Sequence, residues 1–552
     1  MADWLAARVR ASPDATALID AGSEARLTYG DLDERAGRVA AGLAAHGIGA
    51  GDRVGSVLGV GPAAVSFVHA VSRLGAVLVP LSPRLTAGEI GARTRRADCK
   101  VLVHDGSADV EASTIDGTVR LVALDALDTS EESSAKERGG TTAETGNERN
   151  SESSIGETPA NGTSTNGVST GFDDPLVLLF TSGTTGRPKA VVLTVGNVLA
   201  SAGASAVRLG VLPGDRWLLA LSTGSMGGLA PIYRAVLYGT TLVLQRGFDA
   251  RRTIGALSTY DCTGISLVPT MLSRVLNVVE PDEEGGRECG SDDGDRKEYD
   301  GEGEYEGGFP ASVRCVLLGG APASRELVER CRAGDVPVHP TYGMTETASQ
   351  VATARPDEAF SNPGTVGRPL VGTTVVAVED GSVLDPGERG ELVVNGPTVT
   401  PGYYDDREAT DEAFSGHGFH TGDLGYVDDD GRVWVTGRLD DRIVTGGQTV
   451  DPEEVSRALR EHPAVHEAAV AGLDDAEWGE RIGALVVPGG PGTAETSERG
   501  VSEGDLDAHC RERLAGYKLP RTIAVAHELP RTESGTIDRN AVKARLRATD
   551  AG

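Results

Sequence analysis

A chain of 552 residues is long enough for more than one domain, each with a large core. Its 82 aspartates and glutamates against 52 lysines and arginines give a formal net charge of -30, which excludes the basic surface of a nucleic-acid binder. No run of about 20 apolar residues occurs, so no membrane span is expected, and Met1-Ala2-Asp3-Trp4 lacks the basic and apolar regions of a signal peptide.

Residues 4–47 read as helix, strand, helix. The second helix starts at Thr28-Tyr29-Gly30-Asp31-Leu32, with Leu32, Ala36, Val39 and Leu43 at helical spacing. Val54 to Leu58 reads as a buried strand, Pro62 to Leu74 as a helix, and Ala76 to Leu81 as a second strand. Alternating strands and helices predict a parallel or mixed sheet covered on both faces. Residues 129–172 are dominated by Ser, Thr, Glu, Gly and Asn, and 280–308 by acids and glycine. Both are expected as surface insertions rather than packed elements. Cys99, Cys262, Cys289, Cys315, Cys331 and Cys510 show no metal-ligand spacing and are expected as reduced thiols.

The apolar run Leu176 to Phe180, with Pro175 where a strand tolerates it, leads into Thr181-Ser182-Gly183-Thr184-Thr185-Gly186-Arg187-Pro188-Lys189. The glycines let backbone N–H groups turn toward an anion. The hydroxyls can bond phosphate oxygens, and Lys189 adds a charge. The lysine stands three residues after the second glycine, so this is not a Walker A loop. A plain Gly/Thr turn is the alternative. A strand then follows at Val191 to Thr194, and a helix through Ala200 to Val207.

Further on, Val313 to Leu318 reads as a strand ending in Gly319-Gly320-Ala321-Pro322, and Ser324 is placed to cap the next helix. In Tyr342-Gly343-Met344-Thr345-Glu346-Thr347, Tyr342 offers an aromatic face, Thr345 a hydroxyl and Glu346 a hard oxygen ligand for Mg²⁺. The two oxygens of Asp423 can accept two hydroxyls, although Gly422-Asp423 alone reads as a turn. From Val450 onward, helices at Pro452 to Leu459 and Leu506 to Leu514 and strands at Val465 to Val470 and Ile482 to Val487 predict a small α+β domain.

These strings, taken in order, resemble the adenylate-forming superfamily of acyl- and aryl-CoA synthetases, luciferases and peptide-synthetase adenylation domains. The texts LTYGDLDERAGRVAAGL and GAVLVPLSPRLTAGEI resemble its opening. The resemblance implies an α/β fold. A large N-terminal domain of α/β and β subdomains (1–437) would carry a small mobile C-terminal α+β domain (441–552) on a hinge near Asp440. It implies ATP and Mg²⁺ as cofactors, coenzyme A as a substrate and a small-molecule acid as partner. Thr181, Ser182, Gly183, Thr184, Thr185, Gly186 and Lys189 would surround the phosphates. Gly320, Ala321, Tyr342 and Gly343 would line the adenine site, and Thr345 would face the α-phosphate. Glu346 would hold the metal, Asp423 would take the ribose hydroxyls, and Arg438 would contact ribose and phosphate. Lys189, Thr345, Glu346 and Arg438 would be the catalytic set, and Gly446 and Gly447 would line the pantetheine tunnel.

Two departures stand out. Thr536 occupies the place of the family's C-terminal lysine, which leaves Arg531, Arg539 or K⁺ to compensate. Gly224 and Ser225 replace an aromatic residue and a histidine, which predicts a roomier acid mouth or a gate supplied elsewhere. The segments Gly227 to Gly239 and Thr345 to Thr353 are similar to the o-succinylbenzoate–CoA ligases of menaquinone synthesis. That similarity implies an acid site of Ser225, Gly227, Arg234, Gly319, Ser349 and Gln350, with a structural arginine at a helix surface as the equal alternative for Arg234. A fatty or aryl acid is the alternative substrate, and a degenerate nucleotide-binding homologue with weak adenylation is a second reading. Lysine stands only at Lys100, Lys136, Lys189, Lys297, Lys518 and Lys543. With the acidic charge, this is similar to proteins of halophilic archaea and implies a salt-rich cytoplasm.

Overall fold

The computed structural model describes residues 3–107, 119–128, 171–181, 188–279, 308–439, 441–445, 448–475, 478–489, 502–531 and 537–550. The two insertions lie outside these residues except at 171–172 and 308. Ser182, Gly183, Thr184, Thr185, Gly186, Asp440, Gly446, Gly447 and Thr536 also lie outside them.

The fold is mixed α/β. One sheet of six strands runs, in spatial order, Arg120–Ala123, Val101–His104, Arg53–Val57, Val77–Leu81, Pro175–Thr181 and Lys189–Thr194. It is parallel except for its last pair. A nine-stranded sheet has a parallel interior that includes Arg216–Leu219, Gly264–Leu267, Cys315–Leu318 and Val338–Met344, with antiparallel pairs at both rims. Helices lie between the two sheets. Thr28 and Asp31 form a reciprocal cap that starts Tyr29–Ala45, and the helical-spaced Leu32, Ala36, Val39 and Leu43 are all buried. They share one core with Phe67 and Val71 of helix Pro62–Arg73, with Ile232 of helix Met226–Tyr238, and with Leu78, Val177, Leu219 and Leu242 from the two sheets.

Helix Met226–Tyr238 is pinned at its C-terminal end. Arg8 donates to the carbonyls of Val236 (2.9 Å) and Leu237 (2.8 Å), and the buried Tyr29 hydroxyl sits 2.8 Å from the Ala235 carbonyl. A cation on the last exposed carbonyls is the favourable sense of the helix dipole.

A third, antiparallel sheet is built from Thr374–Glu379, Gly390–Asn395, Gly418–Val427 and Val433–Arg438 with two short edge strands. The fourth is a five-stranded sheet of the C-terminal region. Ile443–Thr445, Gly479–Pro488 and Val465–Asp475 are neighbours in it, and Thr522–Val525 joins in parallel. Helix Pro452–Arg460 covers its core of Val455, Leu459, Val470 and Val486. One ion pair ties this region back to the third sheet: Arg389 Nη2 lies 2.5 Å from Asp451 Oδ2, beside Gly437.

Two histidines are buried without charge. Burial pushes His69 and His339 down from the ordinary 6.5 to about 4. Their protonated forms belong to the unfolded chain, so the stability they confer is complete above pH 6.5 and drains away as pH falls toward 4. Each group steepens that loss by about 1.4 kcal/mol per pH unit. Urea unfolding of the wild type across this window is expected to show the slope, and His69→Phe is expected to flatten it by one proton's share. Equal slopes in the two proteins would contradict the assignment.

Candidate active site

The site gathers where loops meet between the six-stranded sheet and the third sheet. Thr181 and Lys189 face each other at the ends of an antiparallel pair. Segment Gly402–Tyr404 lies along the second of these strands: Val192 N–H donates to the Gly402 carbonyl (3.1 Å) and Tyr404 N–H to the Ala190 carbonyl (2.8 Å). That register brings the Tyr403 ring to 4.9 Å from the Lys189 ammonium. The Tyr403 hydroxyl donates to Glu346 (3.3 Å), and Thr400 N–H donates to the Glu346 carbonyl (2.7 Å).

Glu346 follows Thr345 in a tight turn after strand Val338–Met344. Burial raises its carboxyl above the usual range, while the Tyr403 hydrogen bond, Arg438 and Lys189 pull it back. Among the described residues, no group of three or more His, Cys, Asp or Glu side chains is placed to hold a metal ion by itself. A half-buried carboxylate with one neutral donor fits a magnesium ion that draws its other oxygens from substrate phosphates and water.

Asp423 lies within strand Gly418–Val427 rather than in a plain turn. The Tyr342 hydroxyl donates to its Oδ2 (2.6 Å), and Arg438 Nη1 stands 3.6 Å from its Oδ1. Burial raises the Asp423 carboxyl, and Arg438 and Tyr342 oppose that shift. Only 9% of Tyr342 is exposed, because its ring packs among Val351, Val375, Leu392 and Val394. The aromatic face open to a ligand is therefore narrow, and the hydroxyl orients the carboxylate. Gly422, at φ 70°, leaves its N–H free to donate to Glu391 (2.9 Å).

The expected acid side is assembled from three elements. Gly319 and Gly320 follow strand Cys315–Leu318; a Cβ on Gly319 would stand 2.8 Å from Thr341 Cγ2, and Gly320 has φ 80°. Gly343 is needed by close approach, since a Cβ there would overlap the Ser349 carbonyl. Ala348 (φ 51°) and Ser349 (φ 116°) hold left-handed backbone without being glycine, a strain found where surrounding structure fixes a functional loop. Gln350 is buried, donates to Thr353 Oγ1 (2.8 Å), and its Oε1 has no partner among the described residues. Ser225 caps helix Met226–Tyr238 in position only, its hydroxyl donating to the Ser222 carbonyl (3.3 Å). A Cβ on Gly227 would stand 3.1 Å from Leu221 Cδ1. Arg234, two turns along the same helix, is nine-tenths buried. Its Nη2 donates to Ser201 Oγ (3.2 Å), and no carboxylate pairs with it among the described residues. Burial lowers its pKa, with only Tyr238 and Cys315 opposing.

Two expectations need correcting. Gly224 does not widen the acid mouth: a Cβ there would stand 2.8 Å from Ser82 N, so backbone of the Leu81–Ser82 turn already fills that space. Arg531 and Arg539 are not free to replace a lysine. Arg531 pairs with Glu467, and Arg539 with Asp441 at 2.9 Å. Residues that the sequence did not single out also line the site. Tyr403 follows a Pro-Gly turn, a local signal for an aromatic held beside another strand, while Ser201 and Glu391 carry no local signal.

Lys189 and Arg438 thus stand with the carboxylates of Glu346 and Asp423 in one polar cluster of a mixed α/β chain. The sequence matches the family described as AMP-binding enzyme over residues 5–404 and its C-terminal domain over 454–536, so the chain belongs to the AMP-binding enzymes. It is 35% identical over 540 residues to the 2-succinylbenzoate–CoA ligase of Bacillus velezensis, covering 98% of this chain and 96% of that one. It is also similar to solved structures of the o-succinylbenzoate CoA synthetase of Bacillus subtilis. With the acyl-adenylate intermediate OSB-AMP the TM-score is 0.80 at 33% identity, covering 98% of both chains. With ATP and magnesium ion the TM-score is 0.79 at 32% identity, covering 98% of this chain and 99% of that one.

Proposed function

We propose that this protein is an ATP-dependent acid–CoA ligase acting on o-succinylbenzoate, a step of menaquinone synthesis. In the first half-reaction, a substrate carboxylate oxygen attacks the α-phosphorus of ATP and pyrophosphate leaves. In the second, the CoA thiol sulfur attacks the acyl carbon, a proton is lost and AMP leaves. The observation that carries the choice of acid is Arg234. An arginine this buried, with a hydroxyl and no carboxylate beside it among the described residues, lacks a counter-charge there. The substrate's second carboxylate supplies one, and a fatty acid does not.

In this reading Asp423 accepts the ribose hydroxyls, and Tyr342 fixes the carboxylate and borders adenine together with Gly320, Ala321 and Gly343. Lys189, the 181–186 loop, Thr345 and Arg438 neutralise charge on the phosphates. Glu346 holds magnesium, which supplies Lewis-acid stabilisation of the phosphate oxygens. Ser225, Gly227, Gly319, Ser349 and Gln350 line the acid site. The C-terminal unit turns about Asp440, and Gly446 and Gly447 then border the CoA arm. We also place the protein in a salt-rich cytoplasm, on its charge and scarce lysine.

The test is mass spectrometry of products from Mg-ATP, CoA and a panel of o-succinylbenzoate, benzoate, fatty acids and amino acids in concentrated KCl. A strongly preferred o-succinylbenzoyl-CoA with AMP is expected; preference for another acid would overturn the substrate. A second reading rests on Thr536, which leaves one phosphate-facing cation missing and would make the chain a weak or degenerate adenylating homologue. Under that reading Thr536→Lys would raise pyrophosphate release by about tenfold or more. We expect less than a twofold change in concentrated KCl, where K⁺ supplies the missing charge.

A further inference from the structure

Helix Val195–Leu209 follows the strand that carries Lys189, and it presents Asn197 and Ser201 one turn apart on one face. Both side chains reach the loops that hold Glu346. Asn197 Nδ2 donates to the carbonyls of Pro397 and Val399, each at 2.9 Å, just before Thr400 N–H meets the Glu346 carbonyl. Ser201 Oγ donates to the buried Ala348 carbonyl at 2.7 Å. A hydroxyl has one hydrogen, and here it is committed to Ala348. The lone pair left over accepts from Arg234 Nη2 at 3.2 Å, which fixes the hydroxyl rotor in that direction.

Ala348 and Ser349 are the two residues held at φ 51° and 116°. Strain of this kind persists only where neighbouring bonds over-determine it. The chain of contacts therefore runs from a buried guanidinium with no anion beside it among the described residues, through one serine, to a strained turn two residues from Glu346.

We propose that Ser201 is a positioning residue: it couples docking of the acid's second carboxylate on Arg234 to the geometry of the Glu346 turn. This rests on the reading of Arg234 as the site of that carboxylate. When the anion binds, the guanidinium is held against Ser201, the hydroxyl's bond to the Ala348 carbonyl is strengthened through the hydrogen-bond chain, and Thr345 and Glu346 are held for the phosphate and its metal. An acid without the second carboxylate leaves the turn looser and is converted more slowly even when saturating. Selectivity then resides in kcat as well as in KM.

The experiment compares wild type, Ser201→Ala and Ser201→Cys in the full chain, with o-succinylbenzoate and with 4-oxo-4-phenylbutanoate, the same acid without its ring carboxylate. Adenylate formation is followed against acid and against magnesium, with thermal melting as a check on folding. With o-succinylbenzoate, Ser201→Ala is expected to lower kcat about tenfold and raise the magnesium needed for half-maximal rate several-fold, with the acid KM changed less than twofold. Ser201→Cys keeps the volume and donates weakly, so it should fall between the two. With the shorter acid, the wild type should already be slow and Ser201→Ala should add less than twofold. An equal loss of kcat with both acids would make Ser201 a purely structural brace and overturn the coupling. A change confined to the acid KM would also overturn it. If the wild type treats the two acids alike, the reading of Arg234 fails on its own, before any Ser201 variant is considered.

Discussion

Glu346→Gln is expected to reduce adenylate formation by about 10²–10³-fold, as removal of a positioned charge from a dry site does. The side chain keeps its volume and can still meet the Tyr403 hydroxyl, so the fold should survive. What is lost is the anionic oxygen that faces both Lys189 and Arg438. More magnesium should restore only part of the rate. The pH profile carries a second signature. Burial raises the Glu346 carboxyl, so protons compete with magnesium at a higher pH than for an exposed glutamate. As pH falls through that raised pKa, the magnesium requirement of the wild type should climb, and in Glu346→Gln this limb should be absent. Single-turnover adenylation across pH and magnesium would decide it; a variant within tenfold of the wild type would exclude Glu346 as the metal's protein ligand.

Arg234→Met is expected to lose activity and gain stability together. Against o-succinylbenzoate, losing a charge-assisted hydrogen bond of about 1.5–3 kcal/mol weakens the apparent affinity roughly 10–100-fold. Against 4-oxo-4-phenylbutanoate the change should be less than twofold in KM. In the free protein, the same substitution replaces a buried cation without an ion-pair partner by an apolar chain of similar length. Such exchanges are neutral or stabilising by about 1–4 kcal/mol. A raised melting temperature with lost discrimination between the two acids would identify Arg234 as a residue kept for the ligand. A lowered melting temperature with unchanged discrimination would make it a structural arginine of the helix interface.

The fold was legible wherever a local signal matched the global packing. Helix Tyr29–Ala45 has its cap, its apolar stripe and its buried face all in agreement, and Ser324 caps helix Arg325–Ala333 as its position predicts, accepting from Leu327 N–H at 3.1 Å. Strand Cys315–Leu318 leads into Gly319-Gly320 where the apolar run stops. The candidate site was legible through strings whose residues sit together in one loop, such as Thr345-Glu346. Contacts that bridge elements were not. Tyr403 reaches Glu346 across a strand register, and Ser201 reaches Ala348 across 147 positions of sequence. Gly224 shows the opposite error. An absent side chain was read as space, but glycine stands there because another backbone comes close. Arg531 and Arg539 were read as spare cations because the sequence cannot show that Glu467 and Asp441 already face them.

The pair Arg389–Asp451 has a bearing on speed. Arg389 is 39% exposed and Asp451 15%, and the two clasp the C-terminal unit to the third sheet right beside Gly437. For the rotation proposed about Asp440, this clasp must open once in every cycle. A pair this open to water is worth about 0–1 kcal/mol, and the Debye length shrinks from about 10 Å at 0.1 M salt to about 3 Å at 1 M. Brine therefore acts on it as a lubricant. In the salt-rich setting proposed for this protein, the same ions that screen the repulsion of a -30 surface would also loosen the catch.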